Sequence, residues 1–197
     1  MPRLLPLALI IAASVATPVL LAQDRSAPSA QPLVDTIPAA RDIAYAGTLQ
    51  LDVDASDITQ RVWHVKQTIP VSGAETLTLL YPEWLPGKHA PRGQIEKVAG
   101  LRASANGQPV NWQRRSLDVF AIDVSVPSGA REIVLEFDYI NPTAENQGRI
   151  VVTDKMLNLE FETVSFYPAG YYVRQIPVEA RVTYPAGWQA FSALRGD

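Results

Sequence analysis

The sequence predicts an all-β fold, an antiparallel β-sandwich of about nine or ten short strands. Three observations predict it. Apolar residues recur at every second position in one segment after another, the mark of strands with one buried face. Turn-forming residues punctuate those segments at short intervals. No stretch carries the period of an amphipathic helix of about ten residues or more.

In chain order, IAYAGTLQLDVD (43–54) alternates apolar with small or polar positions. QRVWHVKQTI (60–69) places Trp63, Val65 and Ile69 on one parity, and ETLTLLYP sets Leu77, Leu79 and Tyr81 on one face. The stretch 95–101 is the best helical candidate, but it contains Gly100 and reads equally well as a strand. In LRASANGQPVNWQ, Asn106-Gly107 specifies a hairpin, because both residues tolerate the positive φ that suits twisted strands. LDVFAIDVSV groups Phe120, Ile122 and Val124. REIVLEFDYI groups Ile133, Leu135, Phe137 and Tyr139, and MLNLEFETV groups Leu157, Leu159 and Phe161. VEARVTYP closes the series with Val178, Ala180 and Val182. Between them lie Gly129 after Pro127-Ser128, the polar stretch 141–148, and two short YPAG motifs.

The chain has 197 residues, enough for one sizeable domain with its own core. The N-terminus, MPRLLPLALIIAASVATPVLLAQ, reads as an export signal: Arg3, an apolar run, then small residues, with Ala22 the expected last residue before cleavage. Pro6 and Pro18 interrupt the run and make it a poor spanning helix; an uncleaved anchor is the alternative. Residues 23–42 read as a Pro-, Ala- and Ser-rich linker, and 43–197 as the β domain. The expected location is therefore periplasmic or extracellular. Zero cysteines exclude disulfides, thiolate metal sites and cysteine nucleophiles. A net charge of −3 without any basic run argues against nucleic acid as a partner, and no stable membrane span is expected after signal cleavage.

The familiar catalytic signatures are missing. The two histidines, His64 and His89, do not form H-E-x-x-H, and neither a phosphate-binding loop nor a G-x-S-x-G elbow occurs. No residue is therefore assigned a catalytic or metal-ligating role. His64 reads as a solvent-facing or hydrogen-bonded strand histidine. Glu160 and Glu162 share a parity and read as a solvated pair, although paired carboxylates elsewhere divide acid and base roles. Phe166, Tyr167, Tyr171 and Tyr172 read as core or sheet-edge packing, with a stacking surface as the alternative. The terminal Arg195-Gly196-Asp197 reads as loop.

The segment YPEWLPGKH, 81–89, breaks the strand pattern. Pro82 and Pro86 fix φ and remove backbone donors, so it cannot be a central strand, and Gly87 permits a turn. Trp84, if buried, would cost about 3–5 kcal/mol to truncate. In LTLLYPEWLPGKHAPRGQIEKVAGLRASANGQPVNW this segment resembles the N-terminal domain of the glycyl aminopeptidase family of thermolysin-like zinc peptidases. The family pattern is a strand, Pro-x-Trp-x-Pro-Gly, an aromatic, an arginine and a hairpin. Pro82, Trp84, Pro86, Gly87, Arg92, Val98, Leu101, Ala103 and Gly107 match it in place. Lys88-His89 stands where the family commonly has Ser-Tyr, and Gly93 where it has an acidic residue. GWQAFSAL resembles the domain's end.

The resemblance implies a noncatalytic module that packs in cis against a helical catalytic domain and helps to wall its substrate cleft. That domain, with H-E-x-x-H and zinc, would follow residue 197, so the chain is expected to be a piece of a longer aminopeptidase or a truncated product. No cofactor is expected in this chain itself, and peptide substrate is an indirect partner. Trp84, Lys88, His89 and Arg92 are the candidates for the cleft or domain interface; Pro82, Pro86 and Gly87 shape their loop. An independent exported glycan- or peptide-binding module is the alternative.

Overall fold

The computed structural model describes residues 36–73 and 75–194. The stretch read as an export signal, most of the stretch read as a linker, and the terminal Arg-Gly-Asp lie outside them. Among the described residues, ten strands form two sheets. The larger combines β1 (Leu49–Asp54), β2 (Val62–Pro70), β4 (Val98–Ala105), β5 (Gln108–Pro109), β8 (Glu132–Ile140) and β10 (Val178–Thr183), in the order β10-β1-β2-β8-β4-β5. The smaller combines β3 (Thr76–Leu80), β6 (Trp112–Arg114), β7 (Ala121–Ser125) and β9 (Tyr167–Pro168), in the order β6-β7-β3-β9. Helical structure among the described residues is confined to four short 3-10 turns, and no helix there is long and apolar enough to cross a membrane.

The alternating rows meet in one core. Leu49, Leu51 and Val53 of β1, Trp63, Val65 and Ile69 of β2, and Ile133, Leu135, Phe137 and Tyr139 of β8 are all buried. They join Leu79, Ile122, Val124 and Phe166 of the smaller sheet and its connections in a single cluster. Strands β2 and β8 pair along their full length, Trp63 opposite Tyr139 and Ile69 opposite Ile133. Period-two burial on both strands fixes this register, because a one-residue slip would turn each apolar row to solvent. Gln67 sits inside the row, fully buried, and exchanges two hydrogen bonds with Phe166: Nε2 donates to its carbonyl at 2.7 Å and Oε1 accepts from its N–H at 2.9 Å.

The structure departs from the sequence reading in three places. First, β1 and β10 pair in parallel, Leu51 beside Ala180 and Val53 beside Val182. A parallel pair needs a long crossover, and here nearly the whole domain supplies it. Second, residues 95–101 divide into a 3-10 turn, Ile95–Lys97, and the start of β4. Gly100, at φ +62°, sits at a register shift between Ala99 and Arg102, the kind of bulge that calls for a left-handed residue. Third, MLNLEFETV is no strand. Val152 and Leu157 form an isolated bridge, and Phe161–Val164 is a 3-10 turn in which Thr163 N–H and Oγ1 both donate to the Glu160 carbonyl. Leu157, Leu159 and Phe161 pack half-buried against the core. Alternation there records partial burial of an extended segment that pairs with its neighbour only through that isolated bridge, and Glu160 and Glu162 consequently share no strand face.

The Asn106-Gly107 hairpin forms as expected, with φ of +51° and +73° between β4 and β5. Arg41 and Asp42, the last residues of the stretch read as a linker, are held by the domain. Arg41 bridges Tyr171, and the Asp42 carboxylate accepts from Arg174 and Gln175.

Candidate functional site

The loop after β3 is built from its base. Tyr81 is buried; its N–H donates to the Phe120 carbonyl at 2.7 Å and its hydroxyl to the Thr163 carbonyl at 2.8 Å. Burial pushes its phenol above the ordinary tyrosine range. Pro82 and Pro86 lie outside any strand. Leu85-Pro86-Gly87-Lys88 closes a turn through Lys88 N–H to the Leu85 carbonyl, 3.1 Å, with Gly87 at φ +75°. Proline second and a left-handed glycine third are the type II arrangement. The loop's far end returns to its start: the N–H groups of Arg92 and Gly93 both donate to the Glu83 carbonyl, at 2.9 and 3.0 Å. Gly93 makes this closure possible, since a Cβ there would lie 2.0 Å from the Pro82 carbonyl oxygen. The acidic residue common to the resembled family at this position has no room here.

The tip of the loop faces solvent. Trp84 is 63% exposed, so the cost of emptying a core site does not apply to it. Lys88, His89 and Arg92 are exposed as well.

Beneath the loop lies a cavity of about 300 Å³. Lys88 and Arg92 line it together with Leu85; Trp84 and His89 do not. The floor is Trp63 and Tyr139, stacked at 5.6 Å between ring centroids and 18° between planes. The Tyr139 hydroxyl donates to Gln94 Oε1 at 2.8 Å, and burial pushes its pKa up to about 12. Lys97 enters from the 3-10 turn, Asn141 and Arg149 from the connection after β8, and Asn158, Glu160 and Thr163 from the segment before β9. Burial lowers the Lys97 ammonium below the ordinary lysine range, with Glu96 acting in the opposite direction. The sequence reading did not single out Lys97, Asn141 and Arg149; Glu160, read as solvated, is exposed and also lines the cavity. These residues lie far apart in the chain and share no spacing that would mark them.

The remaining candidates resolve individually. His64 Nδ1 lies 2.7 Å from Asp138 Oδ1, its cross-strand neighbour on the outer face of the larger sheet. The same face carries the contacts of Arg102 with Glu136 and of Arg181 with Asp52, both at 4.0 Å. Phe166 is buried, Tyr167 is half-buried, and Tyr171 meets Tyr45 edge to face at 5.0 Å. Tyr172 is exposed, with the Arg174 guanidinium 4.5 Å from its ring centre. No cluster of three or more His, Cys, Asp or Glu suited to a metal ion occurs among the described residues.

Comparison with known proteins gives two findings. The family described as Peptidase M61 N-terminal domain matches residues 50–197. Among solved structures, the chain is similar to the aminopeptidase N family protein from Idiomarina loihiensis, with 16% identity, 71% of this chain covered and a TM-score of 0.52. It spans 22% of that protein's length, and the likeness is one of fold. A second similar structure is a substrate-bound mutant of the M1 zinc metallopeptidase from Deinococcus radiodurans, at 14% identity and a TM-score of 0.36, covering 78% of this chain and 36% of that one. No curated protein sequence matches the chain.

Proposed function

The chain belongs to the peptidase M61 N-terminal domain family, and from that premise we propose that it is the noncatalytic β-sandwich module of an exported zinc aminopeptidase. In this reading it packs in cis against the catalytic metallopeptidase domain and helps to wall the substrate cleft. Zinc belongs to that domain, and peptide substrate meets this chain only at the cleft's edge. Export rests on Arg3 and the apolar run that follows it.

One observation supports docking through the 83–93 loop: Trp84 is 63% exposed on a segment tied at its base by two backbone bonds. A rigid, exposed tryptophan loses little freedom on association and is the residue type that dominates interfaces. Lys88, His89 and Arg92 stand exposed on the same loop. The second reading, an independent glycan- or peptide-binding module, has less to work with. Of the four clustered rings only Tyr172 is exposed, and Arg174 stands over it.

The test compares this chain alone with a polypeptide in which it precedes a zinc peptidase domain of its family. Alone, with zinc added, the chain should leave glycyl-anilide substrates intact. In the joined protein, Trp84→Ala should raise KM or loosen the domains by about 2 kcal/mol while the module's own melting temperature stays put. Turnover by the isolated chain defeats the proposal. So does a joined protein whose kinetics and stability ignore Trp84→Ala, His89→Ala and Arg92→Ala alike.

A further inference from the structure

The cavity under the loop carries a charge arrangement that docking alone does not require. Lys88, Arg92, Lys97 and Arg149 line it, against a single carboxylate, Glu160. Among the described residues none of these four cations is in an ion pair, although arginines elsewhere in the domain have carboxylate neighbours. Cations lining one cavity without carboxylate partners attract an anion, because each lowers the cost of holding the negative charge.

A second observation is independent of charge. Asn141, in the cavity wall, is 2% exposed, and neither Nδ2 nor Oδ1 has a hydrogen-bond partner among the described residues. Buried side-chain amides in folded proteins nearly always have partners. Both amide atoms are sealed from water as well as unpartnered, so a ligand engages them only if the side chain turns into the cavity, where the unused donor and acceptor would each gain a partner. Glu160 adds an acceptor for an N–H.

We propose that this cavity binds a small carboxylate ligand of about the size of an amino acid or dipeptide. The carboxylate lies among the four cations, Glu160 faces the ligand's amide or amine, the Asn141 side chain turns in to bond it, and its apolar part rests on the stacked Trp63 and Tyr139. The volume, about 300 Å³, is at the lower end of small-ligand pockets, roughly 300–1,000 Å³. A phosphate dianion meets the same cations but offers no apolar surface to Trp63 and Tyr139 and no N–H to Glu160. The inference goes beyond the docking reading, since the lining residues named all belong to this chain and its test needs no second domain.

The experiment is a titration of the isotope-labelled chain, followed by backbone amide NMR, with glycylglycine, glycylglycinamide and inorganic phosphate. Saturable shifts confined to residues around Lys97, Asn141 and Arg149 are expected with glycylglycine, and amidation should weaken them about tenfold or more. Arg149→Gln, at an exposed position, should weaken glycylglycine binding by a similar factor. Lys66→Gln, on the opposite face of the larger sheet, should leave it unchanged. Absence of saturable shifts, equal response to the amide, or equal or tighter binding of phosphate each overturns the assignment. Each of these outcomes leaves the docking proposal standing.

Discussion

Gln67 shows how one residue departs from its strand's pattern. Its position on the buried face of β2 follows from parity, but its chemistry does not: it bonds the N–H and the carbonyl of Phe166. Replacing it with leucine keeps the volume and strands both backbone groups, at about 1–3 kcal/mol each. Gln67→Leu is therefore expected to lower the melting temperature by roughly 5–20 °C, and an unchanged temperature would show that the clamp contributes nothing. Asp123 is a second such residue. Its carboxylate accepts from Arg115 Nε at 2.9 Å and Nη2 at 3.0 Å, and from Thr78 Oγ1 at 2.7 Å. Burial raises its pKa, but the bonds and charge of Arg115 and the Thr78 bond outweigh that and leave it below the usual aspartate range. The stability this contributes is present above the unfolded pKa of about 3.9 and is lost as pH falls through the lower folded value. In urea melts, Asp123→Asn should be less stable than the parent at neutral pH, and the gap should narrow as pH falls below the usual aspartate range. A gap that persists in acid would refute this role.

At the scale of elements, the 83–93 loop was the most legible feature. Two prolines and a glycine excluded a central strand, and the turn at Gly87 forms where they put it. Its closure was not legible, because it depends on how near Gly93 comes to Pro82. Gly93→Ala forces a Cβ against that backbone carbonyl, 2.0 Å away, and should cost about 1–3 kcal/mol. Amide exchange of Arg92 and residue 93 should quicken at the same time, since both bond Glu83. Unaltered protection at those amides would mean that the loop yields without strain. Residues 157–161 show the limit of periodicity from the other side. Their alternation is real and buries three side chains in part, yet no neighbouring strand pairs with them.

At the scale of the molecule, local pattern and long-range assembly separate. The all-β class, the apolar rows, the Asn106-Gly107 hairpin, the stiff loop and the family were all readable in the sequence. Each is written in near neighbours: side-chain parity, the φ limits of proline and glycine, or a short motif. The parallel β1–β10 pair, the Gln67 clamp, the exposure of Trp84 and the basic cavity were decided only by the tertiary structure. They join residues from distant parts of the chain, and alternation reports which face of a strand is buried without reporting what lies beside it. Lys88, Arg92, Lys97, Asn141 and Arg149 share no spacing, and folding alone brings them around one cavity.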